Sequence, residues 1–137
     1  MGVFLFLTID QGTTSSRSLL FDEKFNVIDV FQKKFNQIYL NESWVEHNPE
    51  EILKTVISCC ERVLKGKHSK KILSVGITNQ RETIVVWDKK TGKPFYNAIV
   101  WQDKRTSKLC EDLKKDGFEE IIKKKTGLLL DPYFSAT

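Results

Sequence analysis

The segment Ile9-Asp10-Gln11-Gly12-Thr13-Thr14-Ser15-Ser16-Arg17 gathers a carboxylate, a glycine, four hydroxyls and a guanidinium within nine residues. A glycine at a turn lets the backbone approach a ligand closely, and successive N–H groups in such a turn form a concavity for anions. The hydroxyls of Thr13, Thr14 and Ser15 add donors, so phosphate is the ligand this chemistry suits. Asp10, where the preceding apolar run ends, is placed to hold magnesium through water, because that hard cation takes oxygen ligands and keeps part of its hydration shell. Arg17 offers a rigid fork of donors to phosphate oxygens. The chain contains neither the GxxxxGK[ST] order nor GxGxxG after the strand. On turn composition alone, an ordinary β-turn outweighs a phosphate site.

These residues have to be positioned by regular elements. Val3 to Ile9 reads as a buried strand, DQGTTSSR as a turn and Ser18 to Phe21 as a second strand. Asp22 to Asn26 is another turn, and Val27 to Phe35 a third strand with imperfect alternation. Asn48-Pro49-Glu50-Glu51 starts a helix, with Asn as N-cap, Pro at the first position and Glu at the third. Ile52, Val56, Cys60, Val63 and Leu64 recur at helical spacing as its core-facing stripe, and the helix ends near Gly66. Ile72 to Thr78 and Thr83 to Trp87 read as strands, and the Lys89 to Pro94 turn leads into another around Ala98 to Trp101. Asp103 is expected to cap a helix whose inner face carries Leu109, Cys110 and Leu113 and which stops at Gly117. A shorter helix through Ile121 and Ile122 stops at Gly127. Strands first, then a helix, then further strands and helices give a mixed α/β layer rather than a regular βαβ alternation.

Composition sets the outer bounds. The 137 residues are 40% hydrophobic and 29% charged, the balance of one soluble globular domain. The net charge is +4, but eighteen acidic residues are interspersed among twenty-two basic ones. A nucleic-acid-binding module would show a basic stripe with interleaved aromatics, and the acidic residues between the lysine clusters argue against it. The clusters themselves, Lys65 to Lys71 and Lys123 to Lys125, fall at expected helix C-termini, where cations suit the dipole. Three cysteines, Cys59, Cys60 and Cys110, have no CxxC partner, so neither a disulfide framework nor a zinc site is expected, and a reducing cytoplasm fits. The opening apolar run has no basic leader, Phe6 stands where a myristoylation signal wants Ser or Thr, and no stretch is long enough for a bilayer. His47 reads as fixing a loop and His68 as lying in an exposed turn, neither catalytic. Tyr133 to Thr137 follows a proline without a charged, tapering tail, as though another element begins there.

The phosphate-type segment IDQGTTSSR resembles the phosphate loop of the FGGY carbohydrate kinases, a group sharing a ribonuclease H-like fold with actin and the heat-shock ATPases. Gly76-Ile77-Thr78-Asn79-Gln80-Arg81-Glu82-Thr83, Val86-Trp87-Asp88, Thr91-Gly92-Lys93-Pro94 and Tyr96 to Gln102 are similar to the glycerol-specific branch of that family. So are Trp44-Val45-Glu46-His47, Thr126-Gly127-Leu128 and Asp131 to Ser135, all in collinear order. The resemblance implies an incomplete first domain with a mixed sheet and flanking helices, ATP and magnesium as cofactors, and glycerol as phosphoryl acceptor. It implies that Thr13, Thr14, Ser15 and Arg17 meet the nucleotide phosphates and Asp10 the magnesium. It also implies that Arg81, Glu82, Trp101 and Tyr133 line the acceptor pocket. Adjacent Arg81 and Glu82 can both reach one ligand only if the chain bends after Asn79-Gln80, since neighbours on a strand face opposite sides. The base and the adenosine-binding domain are expected beyond residue 137, so these residues alone are expected to be inactive and the full-length enzyme a homo-oligomer. Kinases of other polyols or sugars share the phosphate loop, and a non-catalytic chain keeping only the fold is the other alternative. The NQRE segment is what matches the glycerol branch and not its sugar-specific relatives.

Overall fold

The computed structural model describes residues 4–66 and 71–137. In chain order its elements are β1 (Leu5–Gln11), β2 (Ser15–Phe21), β3 (Val27–Lys34), β4 (Ile38–Tyr39), β5 (Val45–His47), α1 (Pro49–Val63), β6 (Ile72–Thr78), β7 (Ala98–Ile99), α2 (Ser107–Lys115) and α3 (Phe118–Thr126). They fall into two compact units, one from Met1–Asn36 and Asn48–Gln80, the other from Gln37–His47 and Arg81–Thr137. The expectations for Val3 and His68 lie outside the described residues.

The first unit is a four-stranded mixed sheet in the order β3-β2-β1-β6, antiparallel except for the parallel β1–β6 pair. The meander β1–β2–β3 forms locally: Asp22 accepts from the backbone N–H groups of Lys24 and Asn26 and closes the second turn. Strand pairing runs nearer to the first tip than the sequence indicates. Asp10 and Gln11 belong to β1 and Ser15 to Arg17 to β2, leaving only Gly12 to Thr14 as the turn.

Helix α1 packs on one face of the meander. Asn48 caps it as expected, its side chain accepting from Glu50 and Glu51 N–H at 2.9 and 3.4 Å, with Pro49 at the first position. The buried row, however, is Thr55, Cys59 and Val63 rather than one built on Ile52, Val56 and Cys60, which flank it half-buried. The reason is polar. β2 turns Ser16 and Ser18 toward the helix, Thr55 Oγ1 meets Ser16 Oγ at 2.9 Å, and Cys59 Sγ donates to the Ser16 carbonyl. Leu5, Leu7 and Leu20 complete this core.

The second unit holds the small sheet β4-β5-β7, antiparallel throughout, with α2 and α3. Thr83 to Trp87 does not form the expected strand. Ile84 exchanges bonds with Ile99, whereas Val86 and Trp87 face Phe95 and Pro94 across the Asp88–Lys93 turn, so one segment is divided between two partners and no continuous ladder develops. The strand expected over Ala98 to Trp101 is cut to Ala98–Ile99, because Val100 turns its carbonyl to Asp103 N–H. Gly117 and Gly127, at φ +82° and +76°, bound α3 in the left-handed conformation that glycine tolerates without a Cβ penalty. On α2, Cys110 is buried while Leu109 is exposed. No helix among the described residues is long and apolar enough to cross a membrane.

Candidate functional site

Alternation along β2 sorts the hairpin's side chains. Ser16, Ser18 and Leu20 point into the α1 interface, so Ser15 and Arg17 project from the opposite face. Register places Thr78, Asp10, Arg17 and Gln32 side by side across all four strands. Arg17 Nη2 donates to Asp10 Oδ2 at 2.5 Å, so the two residues assigned to phosphate and to metal form an exposed ion pair. Ser15 Oγ accepts from Gln32 Nε2 at 2.7 Å and keeps its own proton to donate. Gly12 N–H closes the turn on the Ser15 carbonyl at 3.0 Å. That amide is therefore spent on closing the hairpin, whose turn residues are Gly12 to Thr14. Among the described residues no cluster of three His, Cys, Asp or Glu side chains stands ready for a metal ion. Asp10 fits the different arrangement of one carboxylate toward a hydrated magnesium, since Arg17 takes Oδ2 and no described partner bonds Oδ1.

The second group of residues belongs to the second unit. β6 ends at Thr78, Arg81 and Glu82 sit in a turn, and Glu82 has φ +65°, so the strand rule that would separate them does not apply. Glu82 Oε2 accepts from Ser135 N–H at 3.1 Å and Ser135 Oγ–H at 2.9 Å. The Ser135 amide foremost, then its hydroxyl, hold the Glu82 carboxyl below its ordinary range, with Arg81 acting in the same direction. Trp101 and Tyr133 meet edge to face at 5.7 Å between ring centres, and Tyr133 does the same with Phe134 at 5.0 Å. Glu82 and Trp101 line one pocket of about 140 Å³ together with Ile84, Ile99 and Phe134. Trp101 and Tyr133 line a wider cleft of about 620 Å³, and Trp101, Asp103 and Pro132 border both. Arg81 is exposed and lines neither.

Asp103 is not a helix cap. The residue preceding α2 is Thr106, which makes no side-chain capping bond, whereas Asp103 is buried and accepts from Val45 N–H at 2.7 Å and from the Arg105 backbone and guanidinium. Arg105 Nη2 also donates to Glu46 Oε1 at 2.7 Å, Asn97 donates to Glu46 Oε2 at 3.0 Å, and the guanidinium lies 4.2 Å from the Trp44 ring centre. Burial pushes both carboxyls up, but for Glu46 the bonds from Arg105, Asn97 and Tyr96 outweigh it, and for Asp103 those from Arg105 and Val45 do. Both therefore titrate below their ordinary values. The Asp103 bond, despite burial, raises Arg105 further above the usual guanidinium value, with Glu46 adding to it. The network fixes the Val100 to Arg105 loop that carries Trp101. Sequence reading missed Glu46, Arg105 and Ser135: Asp103-x-Arg105 is a local signal for a turn-forming pair, but nothing local joins Glu46 to a residue 59 positions on. His47, buried with Nε2 2.7 Å from Gln37 Oε1, fixes the approach to β4 as expected.

Comparison with known proteins gives these sites a setting. A model of the N-terminal domain of the FGGY family of carbohydrate kinases matches residues 5–137. The glycerol kinases of Shewanella baltica and Borrelia duttonii are 54% and 53% identical to this chain over 133 residues, 96% of its length and 27% of theirs. The chain thus spans about a quarter of the length of these curated relatives. The crystal structure of Plasmodium falciparum glycerol kinase with ADP superposes with a TM-score of 0.89 at 38% identity, covering 98% of this chain and 28% of that one. A gluconate kinase from Lactobacillus acidophilus, at 21% identity and TM-score 0.82, shares the fold. These neighbours are sugar kinases of the ribonuclease H-like, actin-type ATPase fold, so the mixed sheet and helices here are part of its first domain.

Proposed function

Because this chain belongs to the FGGY family of carbohydrate kinases, we infer that the full-length protein containing it transfers the γ-phosphoryl group of ATP to a terminal hydroxyl of glycerol. The observation that carries the acceptor side is Glu82, set in a left-handed turn with one oxygen anchored and lining a small pocket with Trp101. A carboxylate accepts from polyol hydroxyls, and the Trp101–Tyr133 pair faces the carbon skeleton and excludes water, while Arg81, exposed and outside both pockets, is assigned to the acceptor hydroxyls by the family resemblance. On the donor side Thr13, Thr14, Ser15 and Arg17 meet the phosphates, and Asp10 holds magnesium through its hydration shell. When bound, magnesium neutralises charge on the phosphate oxygens. The remaining requirements are a carboxylate that takes the alcohol proton and a wall for adenosine. Residues beyond 137 supply these, so the 137 residues alone turn over nothing. The working compartment is the cytoplasm.

The reading is tested by assaying the full-length protein with ATP and magnesium against glycerol, gluconate and xylulose. Glycerol 3-phosphate as the preferred product is expected, and turnover of a sugar without glycerol would overturn it. Within the same assay Thr13→Val keeps size and β-branching but removes a hydroxyl at the hairpin tip. Its kcat should fall by roughly 10–100-fold while the KM for glycerol changes little. Parallel losses of stability and activity would instead make Thr13 a structural turn residue.

A further inference from the structure

We propose that Ser135 is a positioning residue that orients the Glu82 carboxylate toward the phosphoryl acceptor. Both donors of this one residue, its N–H and its hydroxyl, converge on the same oxygen, Oε2, across 53 residues of sequence. Among the described residues nothing bonds Oε1, so the pair of bonds pins one oxygen and leaves the other to a ligand. A carboxylate held at one oxygen has lost its freedom to rotate before a hydroxyl arrives, which is how preorganisation strengthens a directional contact.

The turn that carries Ser135 is itself fixed. Asp131 accepts from Tyr133 N–H through Oδ1 at 2.9 Å and from Phe134 N–H through its carbonyl at 3.1 Å. Thr137 Oγ1 donates to the Phe134 carbonyl at 3.0 Å. The same few residues therefore set the Tyr133 ring against Trp101 and present Ser135 to Glu82. Aromatic wall and carboxylate are thereby tied together. Glu82 lies in a left-handed conformation that a non-glycine residue adopts only when its surroundings impose it, and the Ser135 bonds are such a constraint.

This role rests on the glycerol-kinase reading, and the test separates the two. In the full-length protein Ser135→Ala should raise the KM for glycerol roughly 5–30-fold, leave kcat within about twofold and leave the KM for ATP unchanged. Ser135→Thr, which restores the hydroxyl, should return the glycerol KM to near the wild-type value. Should Ser135→Ala not fold, Ser135→Cys keeps the volume with a weaker donor and should raise the same constant. An unchanged glycerol KM in the folded Ala or Cys variant, or an equal rise in the KM for ATP, removes Ser135 from the role while leaving the function intact. Wild-type protein that does not phosphorylate glycerol overturns the function and this role with it.

Discussion

Replacing Arg105 with Ala should cost about 3–5 kcal/mol of stability, the magnitude seen when one partner of a buried ion pair is removed and its counter-charge is left behind. Here two counter-charges are left. Glu46 is fully buried and Asp103 nearly so, and both take bonds from the one guanidinium. Urea unfolding of the full-length protein measures the loss. Its pH dependence identifies the cause. In the wild type both carboxyls sit below their ordinary values. Their contribution to stability is present above the unfolded carboxyl pKa of about 4 and is lost as the pH falls through the lower folded values. Without the Arg105 guanidinium, burial is opposed only by the bonds that Asn97 and Tyr96 make to Glu46 and that the Val45 and residue-105 backbone N–H groups make to Asp103, so both carboxyls titrate higher than in the wild type and lowering the pH should narrow the deficit of the variant. A deficit independent of pH would mean that Arg105 acts by packing on Trp44 rather than by charge. Arg105→Lys retains the charge without the planar fork and should recover only part of the loss.

Replacing Glu82 with Ala should lower kcat/KM for glycerol by roughly 10–100-fold, the range expected when a charged hydrogen-bonding partner of a substrate hydroxyl is deleted. The KM for ATP should stay within about twofold, because the nucleotide phosphates are assigned to the hairpin at Thr13 to Arg17. The left-handed conformation at position 82 suits Gly better than Ala, so Glu82→Gly is the control for backbone strain. If the two variants lose glycerol use equally, the carboxylate is responsible. If Glu82→Ala retains the wild-type constants for glycerol, the residue does not belong to the acceptor site.

What could be read from the sequence was whatever depends on neighbours in the chain. Asn48-Pro49 announces the start of α1, Asp22 to Asn26 its tight turn, and Gly117 and Gly127 the limits of α3, because each sets its own backbone conformation or caps its own N–H groups. The errors share the opposite property. Thr55 belongs to the buried face of α1 because Ser16, 39 residues earlier, offers it a hydroxyl, whereas helical periodicity ranks an apolar row above a polar one. Thr83 to Trp87 has the composition of a strand, yet its bonds are divided between Ile99 and the Pro94 turn. Asp103 looks like a cap because it precedes a helix, and only the fold brings Val45 N–H and Arg105 to it. Of the candidate sites, the turn at the hairpin tip was legible from its residue types, while the pairing of Asp10 with Arg17 needed the strand register.

The distance in sequence between Glu46 and Arg105 also sets an order of events during synthesis. At about 5–20 residues per second, Arg105 follows Glu46 off the ribosome by roughly 3–12 seconds, plus the time needed to clear the exit channel. Over that interval the Glu46 carboxylate has no guanidinium to meet, and water is its best partner. The small sheet likewise waits for its distant strand β7 at Ala98–Ile99, while the β1–β2–β3 meander, built from neighbouring segments, has its pairing partners at once. Glu46 therefore gains its guanidinium only after the loop bearing Trp101 has been made.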